Sequence, residues 1–280
     1  MSLMGVDIGS SRCKAVVFGA SGRVVAEAVE GYAPEFPGPA MVEMDPEVLW
    51  RAVASAVASA ASEVKGDPVE AVGLSSHGET FVAVDERGEA MGPAILNADN
   101  RATAEAAWWE ERLGRRRIFE ITGLIVHPMY PMPKIRWLRE HKPELFAGAS
   151  RFVSISDYVL LRLGLEACIA YPLASRYMAF DVRKLCWSDE MLEAGGLSAE
   201  RLPRPAPAGT TAGKLSRTAA GGLGLEAGTP VVVGGHDQPC GALGMGAIEP
   251  GMVVDSMGTY ECLTAVGPSR VWTRRRWPRA

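Results

Sequence analysis

No run of apolar residues in this chain reaches the roughly 18 to 20 that a membrane-crossing helix needs. Nor does a basic segment followed by an apolar one open the chain, so no secretory leader is expected. Cysteines are few, odd in number and scattered (13, 168, 186, 240 and 262), with no Cys-x-x-Cys pair. That spacing excludes a disulfide framework or a zinc ribbon and fits reduced thiols in the cytoplasm. The four histidines show no metal-ligand spacing, and His127, His141 and His236 read as surface or capping residues. No charge of one sign dominates. With 29 basic and 33 acidic residues the chain carries −4, which argues against a nucleic-acid partner. The balance is uneven. Residues 267–280 hold five Arg and no acid, so the preceding 266 residues carry −9, that is −4 less those five charges.

What is present is a sequence with 48% hydrophobic residues over 280 positions, enough to bury one large core or two smaller ones. Leu3–Ile8, Lys14–Phe18 and Val24–Ala26 read as strands joined by the short turns Gly9-Ser10-Ser11 and Ala20–Arg23. Connections that short make neighbouring strands antiparallel. Asp45-Pro46 reads as a helix start, with Leu49, Val53, Val57, Ala60 and Val64 at helical spacing. Strands are expected at Val69–Ser75 and Phe81–Val84, and a mainly helical stretch from about 101 to 165. Pro203–Gly209 reads as a loop. Val231–Val233 reads as a buried strand, Asp237 onward as a helix, and Met252–Ser256 with Glu261–Ala265 as two strands. The fold class is therefore α/β, a mixed sheet flanked by helices, of the ribonuclease-H-like kind.

Four segments could carry chemistry. Asp7-Ile8-Gly9-Ser10-Ser11 with Lys14 offers backbone N–H groups and hydroxyls to a phosphate, and a carboxylate to Mg²⁺. A plain hairpin turn is the competing reading. Gly234-Gly235-His236-Asp237-Gln238 stands where an apolar strand meets a helix, and a carboxylate there can take a proton from a hydroxyl. An N-cap aspartate would look the same. Ser256-Met257-Gly258-Thr259 repeats the strand–turn chemistry of the first segment. Ser75–Thr80 and Asn97–Arg101 concentrate side chains suited to a polyol, although Asp99 and Arg101 would also make a local salt bridge. Other patterns fail. Gly209–Lys214 is one residue short of a Walker A loop and has Leu215 where Ser or Thr must stand. Gly222-Leu223-Gly224 does not open a helix after a strand, and Ser76-His77 lacks a nucleophile elbow.

In this order the segments resemble the FGGY family of carbohydrate kinases, on the actin-like ATPase fold. The resemblance is carried by Asp7-x-Gly9-Ser10-Ser11-x-x-Lys14, by Lys134–Leu138 with Pro143-Glu144, and by Ser156-Asp157-Tyr158. It continues through Leu173–Arg176 with Phe180-Asp181, Trp187-Ser188, Gly234–Gln238 and Ser256–Thr259. It implies ATP- and Mg²⁺-dependent phosphorylation of a sugar or polyol. Asp237 would be the catalytic base and Asp7 the metal residue. Gly9, Ser10, Ser11, Lys14, Gly258 and Thr259 would hold phosphates. His77, Gly78, Glu79, Asp99, Arg101 and Gln238 would contact the substrate. Three departures leave the sugar open: Glu79-Thr80 is similar to the glycerol-kinase version, Asn97 replaces the usual aromatic, and Ala170 stands where many members have an aspartate.

The family has two domains of comparable size. The resemblance implies that residues 1–250 are the first domain, 251–266 the opening hairpin of the second, and 267–280 a basic tail outside the family pattern. On that reading the second domain is essentially missing and the 280-residue chain is a truncated, weakly active or inactive form. The expected partner is a small sugar or polyol, with neither nucleic acid nor membrane, and a homodimer stays open as an oligomeric state. Two other functions compete: a non-catalytic sugar-binding or interaction module, and an actin- or chaperone-like ATPase. Fold alone does not separate them.

Overall fold

The computed structural model describes residues 1–64, 66–257 and 261–268. Its first strand, Ser2–Ile8, alternates strictly, with Ser2, Met4, Val6 and Ile8 buried while Leu3 and Asp7 face out. That period of two gives the strand one core face and puts Asp7 on the other. The turn at Gly9–Ser11 returns the chain antiparallel as Arg12–Gly19, and a second turn leads into Val24–Gly31. Helix Pro46–Glu63 crosses this hairpin. It starts as the sequence predicts, with Asp45 Oδ1 accepting from Glu47 N at 2.8 Å and Pro46 in the first turn. Leu49, Val53, Ala56, Val57 and Ala60 form its buried face. Burying each of the larger three contributes about 1.5–3 kcal/mol.

The helix delivers strand Val69–Ser76 parallel to Ser2–Ile8, and much later Pro230–His236 joins parallel to Val69–Ser76. The six-stranded sheet runs Thr210–Lys214, Pro230–His236, Val69–Ser76, Ser2–Ile8, Arg12–Gly19, Val24–Gly31. Its three central strands are parallel and its flanks antiparallel. This is the expected mixed sheet flanked by helices. Three carboxyl ends therefore finish side by side. Ile8 pairs with Ser76, and Ser76 with His236.

A second core packs beside the first around Phe81, Trp109, Tyr130, Trp137, Phe152 and Phe180. It includes helices Thr103–Leu113 and Pro131–His141 and part of a four-stranded sheet. That sheet corrects one expectation. Arg151–Ser154, inside the stretch read as helical, is a strand antiparallel to Phe81–Val84. Phe152 is fully buried edge-on to Phe81, and this pairing outweighs the helical periodicity around it. Pro203–Gly209 is also not wholly a loop. Arg204–Ala206 pairs parallel with Cys168–Ala170, an edge position that needs no donor from Pro205. The final hairpin, Val253–Met257 with Glu261–Ala265, pairs only with itself among the described residues and leaves Val253, Met257 and Leu263 exposed. All five cysteines are unbridged. Among the described residues no helix is long and apolar enough to cross a membrane.

Candidate active site

The three parallel strand ends place Asp7, Ser75–Thr80 and Gly234–Gln238 together. Asp7 points away from the core, and its Oδ1 accepts from Ser75 Oγ at 2.7 Å. The next turn is braced from outside: Tyr32 donates its hydroxyl to Gly9 O at 2.6 Å, and Tyr32 N donates to Ser11 O at 2.9 Å. Ser10 and Ser11 are exposed. Lys14, expected at a phosphate, lies directly opposite Asp7 on the neighbouring strand, with its ammonium 3.4 Å from Glu27 on the strand beyond.

His77 ties two strands together. Its Nδ1 donates to Ile8 O at 2.9 Å, which leaves Nε2 to accept from Thr80 Oγ1 at 2.8 Å. Thr80 Oγ1 in turn accepts from Asn97 N. Both ring nitrogens are occupied and the residue is buried, so burial holds its pKa below the ordinary value. The imidazole expected to touch substrate acts as a neutral cross-link. Beyond it the chain turns through Glu79 at φ 61°, a left-handed conformation that costs a side-chain-bearing residue free energy. The turn sends the Glu79 carboxylate to Arg176, with which it pairs. Arg176 stacks 5.3 Å from the Tyr130 ring.

Strand Pro230–His236 carries a bulge at Gly234, where the register slips between Val233 and Gly235. A Cβ on Gly234 would lie 2.5 Å from Leu74 O, and Gly235 has φ 142°. Only glycine fits both requirements. The bulge turns the chain into helix Asp237–Gly244 at the sheet edge. Asp237 Oδ1 accepts from Gln238 N at 2.7 Å and lies 3.3 Å from His236 Nε2. Burial, aided by Asp7 and Glu79, pushes the Asp237 carboxyl up to about 6. Burial drives the His236 imidazole down to about 4, so at neutral pH it is uncharged. Opposite stands Gly78, where a Cβ would be 2.8 Å from the His236 ring.

Asp99 and Arg101 form the local salt bridge. Arg101 Nε and Nη2 reach both Asp99 oxygens at 2.7–3.0 Å, and Nη2 also meets Glu43 at 2.7 Å. Asp99 is fully buried and accepts from Val42 N. The two residues expected at the substrate thus anchor the loop behind it. Of the remaining expectations, Gly78, Glu79, Asp237 and Gln238 do converge, whereas Gly258 and Thr259 lie outside the described residues. Sequence reasoning missed Arg176, Tyr130 and His236 as members of the site. Arg176 is 97 positions from Glu79, beyond any local pattern. His236 is visible beside Asp237 but reads from sequence as a surface or capping residue; it stands at the N-cap position, where its side chain makes no cap bond. Behind the site, Lys134 is fully buried, bonds Leu96 O, and is held by burial at about 7.

The profile of the FGGY family of carbohydrate kinases, N-terminal domain, matches residues 2–244. The chain belongs to this family. Gluconokinase from Bacillus subtilis (strain 168) is 30% identical over 264 residues, covering 94% of this chain and 52% of the relative. Xylulose kinase from Escherichia coli (strain K12) is 33% identical over 265 residues, covering 94% and 54%. In three dimensions, a gluconate kinase from Lactobacillus acidophilus superposes with a TM-score of 0.84 at 25% identity, over 88% of this chain and 50% of that one. The chain spans about half the length of these FGGY relatives.

Proposed function

We propose that this chain carries the acceptor-binding and proton-accepting half of an ATP-dependent sugar or polyol kinase. The observation that supports it is the placement of Asp237. A half-buried carboxyl with a raised pKa, at the carboxyl ends of three parallel strands, faces the polar turn Gly78–Thr80. Phosphoryl transfer to an alcohol needs a carboxylate that takes the hydroxyl proton. The backbone N–H of Gln238 addresses Oδ1, which leaves Oδ2 to accept that proton. Ionised above about pH 6, Asp237 is a base near the working pH. Glu79, fixed by Arg176, presents a hydrogen-bond acceptor to further hydroxyls.

The donor set suits Mg·ATP on the other side of Asp237. Exposed Ser10 and Ser11 supply two hydroxyls, while the Gly9 N–H closes the turn on Arg12 O; Asp7 has one oxygen on Ser75 and a second for a hydrated Mg²⁺, which takes few protein ligands. Bound there, Mg·ATP would supply the phosphoryl group. Gly258 and Thr259 remain proposed phosphate contacts. The names of the relatives cover gluconate and xylulose, and another relative, from Thermococcus onnurineus, is a glycerol kinase. The hairpin Val253–Ala265 is proposed as the start of the partner domain that completes such kinases.

Thermal unfolding of the purified chain with neutral sugars, polyols and sugar acids, with and without Mg·ATP, tests the reading. It expects stabilisation by one acceptor, with slow or no transfer by this chain alone. ATP hydrolysis without any sugar would favour the ATPase reading, and no response to any acceptor would remove the sugar site.

A further inference from the structure

We infer that the acceptor of this site is an uncharged polyol or sugar and that sugar acids are rejected. The inference rests on the sugar-site reading above and narrows it. Its basis is the charge inventory around Asp237. Three carboxylates converge there: Asp7, Glu79 and Asp237. Arg176, Arg101, Lys134 and Lys14 are each engaged by an acid or a carbonyl among the described residues. Arg176 pairs with Glu79. Arg101 is held by Asp99 and Glu43, both of its acidic partners being largely buried. Lys134 is sealed behind the site with its ammonium on Leu96 O. Lys14 stands with Glu27.

Around Asp237 the carboxylates outnumber the cation. The charged groups that act on Asp237 are Asp7 and Glu79, which oppose its ionisation, and Arg176, which favours it. The upward shift of that carboxyl comes first from burial, and Asp7 and Glu79 add to it. Arg12, on the outer side of the phosphate turn, is not among them. A substrate carboxylate placed here would lose water, find Arg176, Arg101, Lys134 and Lys14 already engaged, and feel the like charges grouped around Asp237. A hydroxyl meets the opposite condition. Glu79 and Asp237 offer carboxylate acceptors, which is what neutral hydroxyls complement.

Calorimetric titration of the chain, without nucleotide or divalent ion, reads the inference directly. The uncharged probes are glycerol, D-xylulose, D-ribulose and D-fructose; the acids are D-gluconate and D-glucuronate. The expected result is that one uncharged probe binds at least about tenfold more tightly than either acid. Glu79→Gln, which releases Arg176, and Asp237→Asn, which removes one charge, should each narrow that gap by about threefold or more. Raising NaCl from about 20 to 500 mM should narrow it too, and needs no variant to fold. An acid that binds as tightly as the best uncharged probe overturns the inference and leaves the sugar site standing. A gap indifferent to salt and to both folded variants overturns its electrostatic basis. Failure of all six probes to bind overturns the sugar-site reading and this inference with it.

Discussion

Gly234→Ala is the sharpest structural perturbation of the site that leaves every functional side chain in place. The new Cβ would sit 2.5 Å from Leu74 O and 3.1 Å from Leu74 C, where ordinary contact begins at 3.4 Å. The obstructing atoms are backbone in the neighbouring strand, so no rotamer change relieves them. Relief demands a movement of about 0.9 Å between the two strands. Val69–Ser76 is itself paired on its far side with Ser2–Ile8, so the displacement propagates through the sheet centre. Overpacking of this kind costs about 1–3 kcal/mol, and a backbone clash belongs at the upper end. At ~2–4 °C per kcal/mol for a domain of this size, the melting temperature should fall by about 6–12 °C. Asp237 follows three residues later, and a displacement near 1 Å should weaken acceptor binding or transfer by about a hundredfold. Differential scanning calorimetry and sugar titration measure the two effects. Gly221→Ala is the control: it lies in helix Arg217–Gly222, its Cβ meets nothing within 4 Å, and it should be neutral or slightly stabilising. A Gly234→Ala protein melting within about 2 °C of wild type would refute the claim that the bulge requires glycine.

Further outcomes follow from the same geometry. The Asp237 carboxyl, followed by carbon-13 NMR, should titrate near pH 6, with its proton-accepting form lost as pH falls through that value; titration near 4 would contradict its burial. Asp157 is fully buried and pushed up by that burial to about 7, so its protonated form favours folding. That contribution is complete below about pH 4 and disappears as pH rises through 7. Urea unfolding should therefore show stability falling from pH 5 to 8 less steeply in Asp157→Asn than in wild type. Arg101→Ala would leave Asp99 buried without its cation and should cost about 3–5 kcal/mol in urea unfolding, whereas an unchanged stability would return Arg101 to the list of substrate contacts. Amides of Val253–Met257 and Glu261–Ala265 should exchange with deuterium far faster than those of Val69–Ser76, because a two-stranded ribbon has little stability of its own.

Strand alternation in Ser2–Ile8 and the Asp45-Pro46 helix start were legible because both patterns are local. The site's axis was legible for a similar reason: Asp7 stands near the end of an apolar strand before a turn, and Asp237 opens a helix directly after one. What could not be read was which polar residues satisfy one another. Glu79 with Arg176, and Arg101 with Glu43, are joined by tertiary packing and not by spacing. His77 looked available for substrate until the structure showed Ile8 O and Thr80 on its two nitrogens. Arg151–Ser154 was concealed within helical periodicity because its identity as a strand depends on Phe81–Val84, about 70 residues earlier.

The central claim is that an acceptor sugar binds where three parallel strands end, beside Asp237. The most direct measurement is a titration of the isotopically labelled chain with uncharged sugars and polyols, followed by NMR. The account predicts saturable shifts of the Asp237 carboxyl and of the amides of residues 75–80 and 235–238. Shifts confined to another part of the surface, such as the 580 Å³ cavity between Glu35, Glu47 and Arg162, would contradict it.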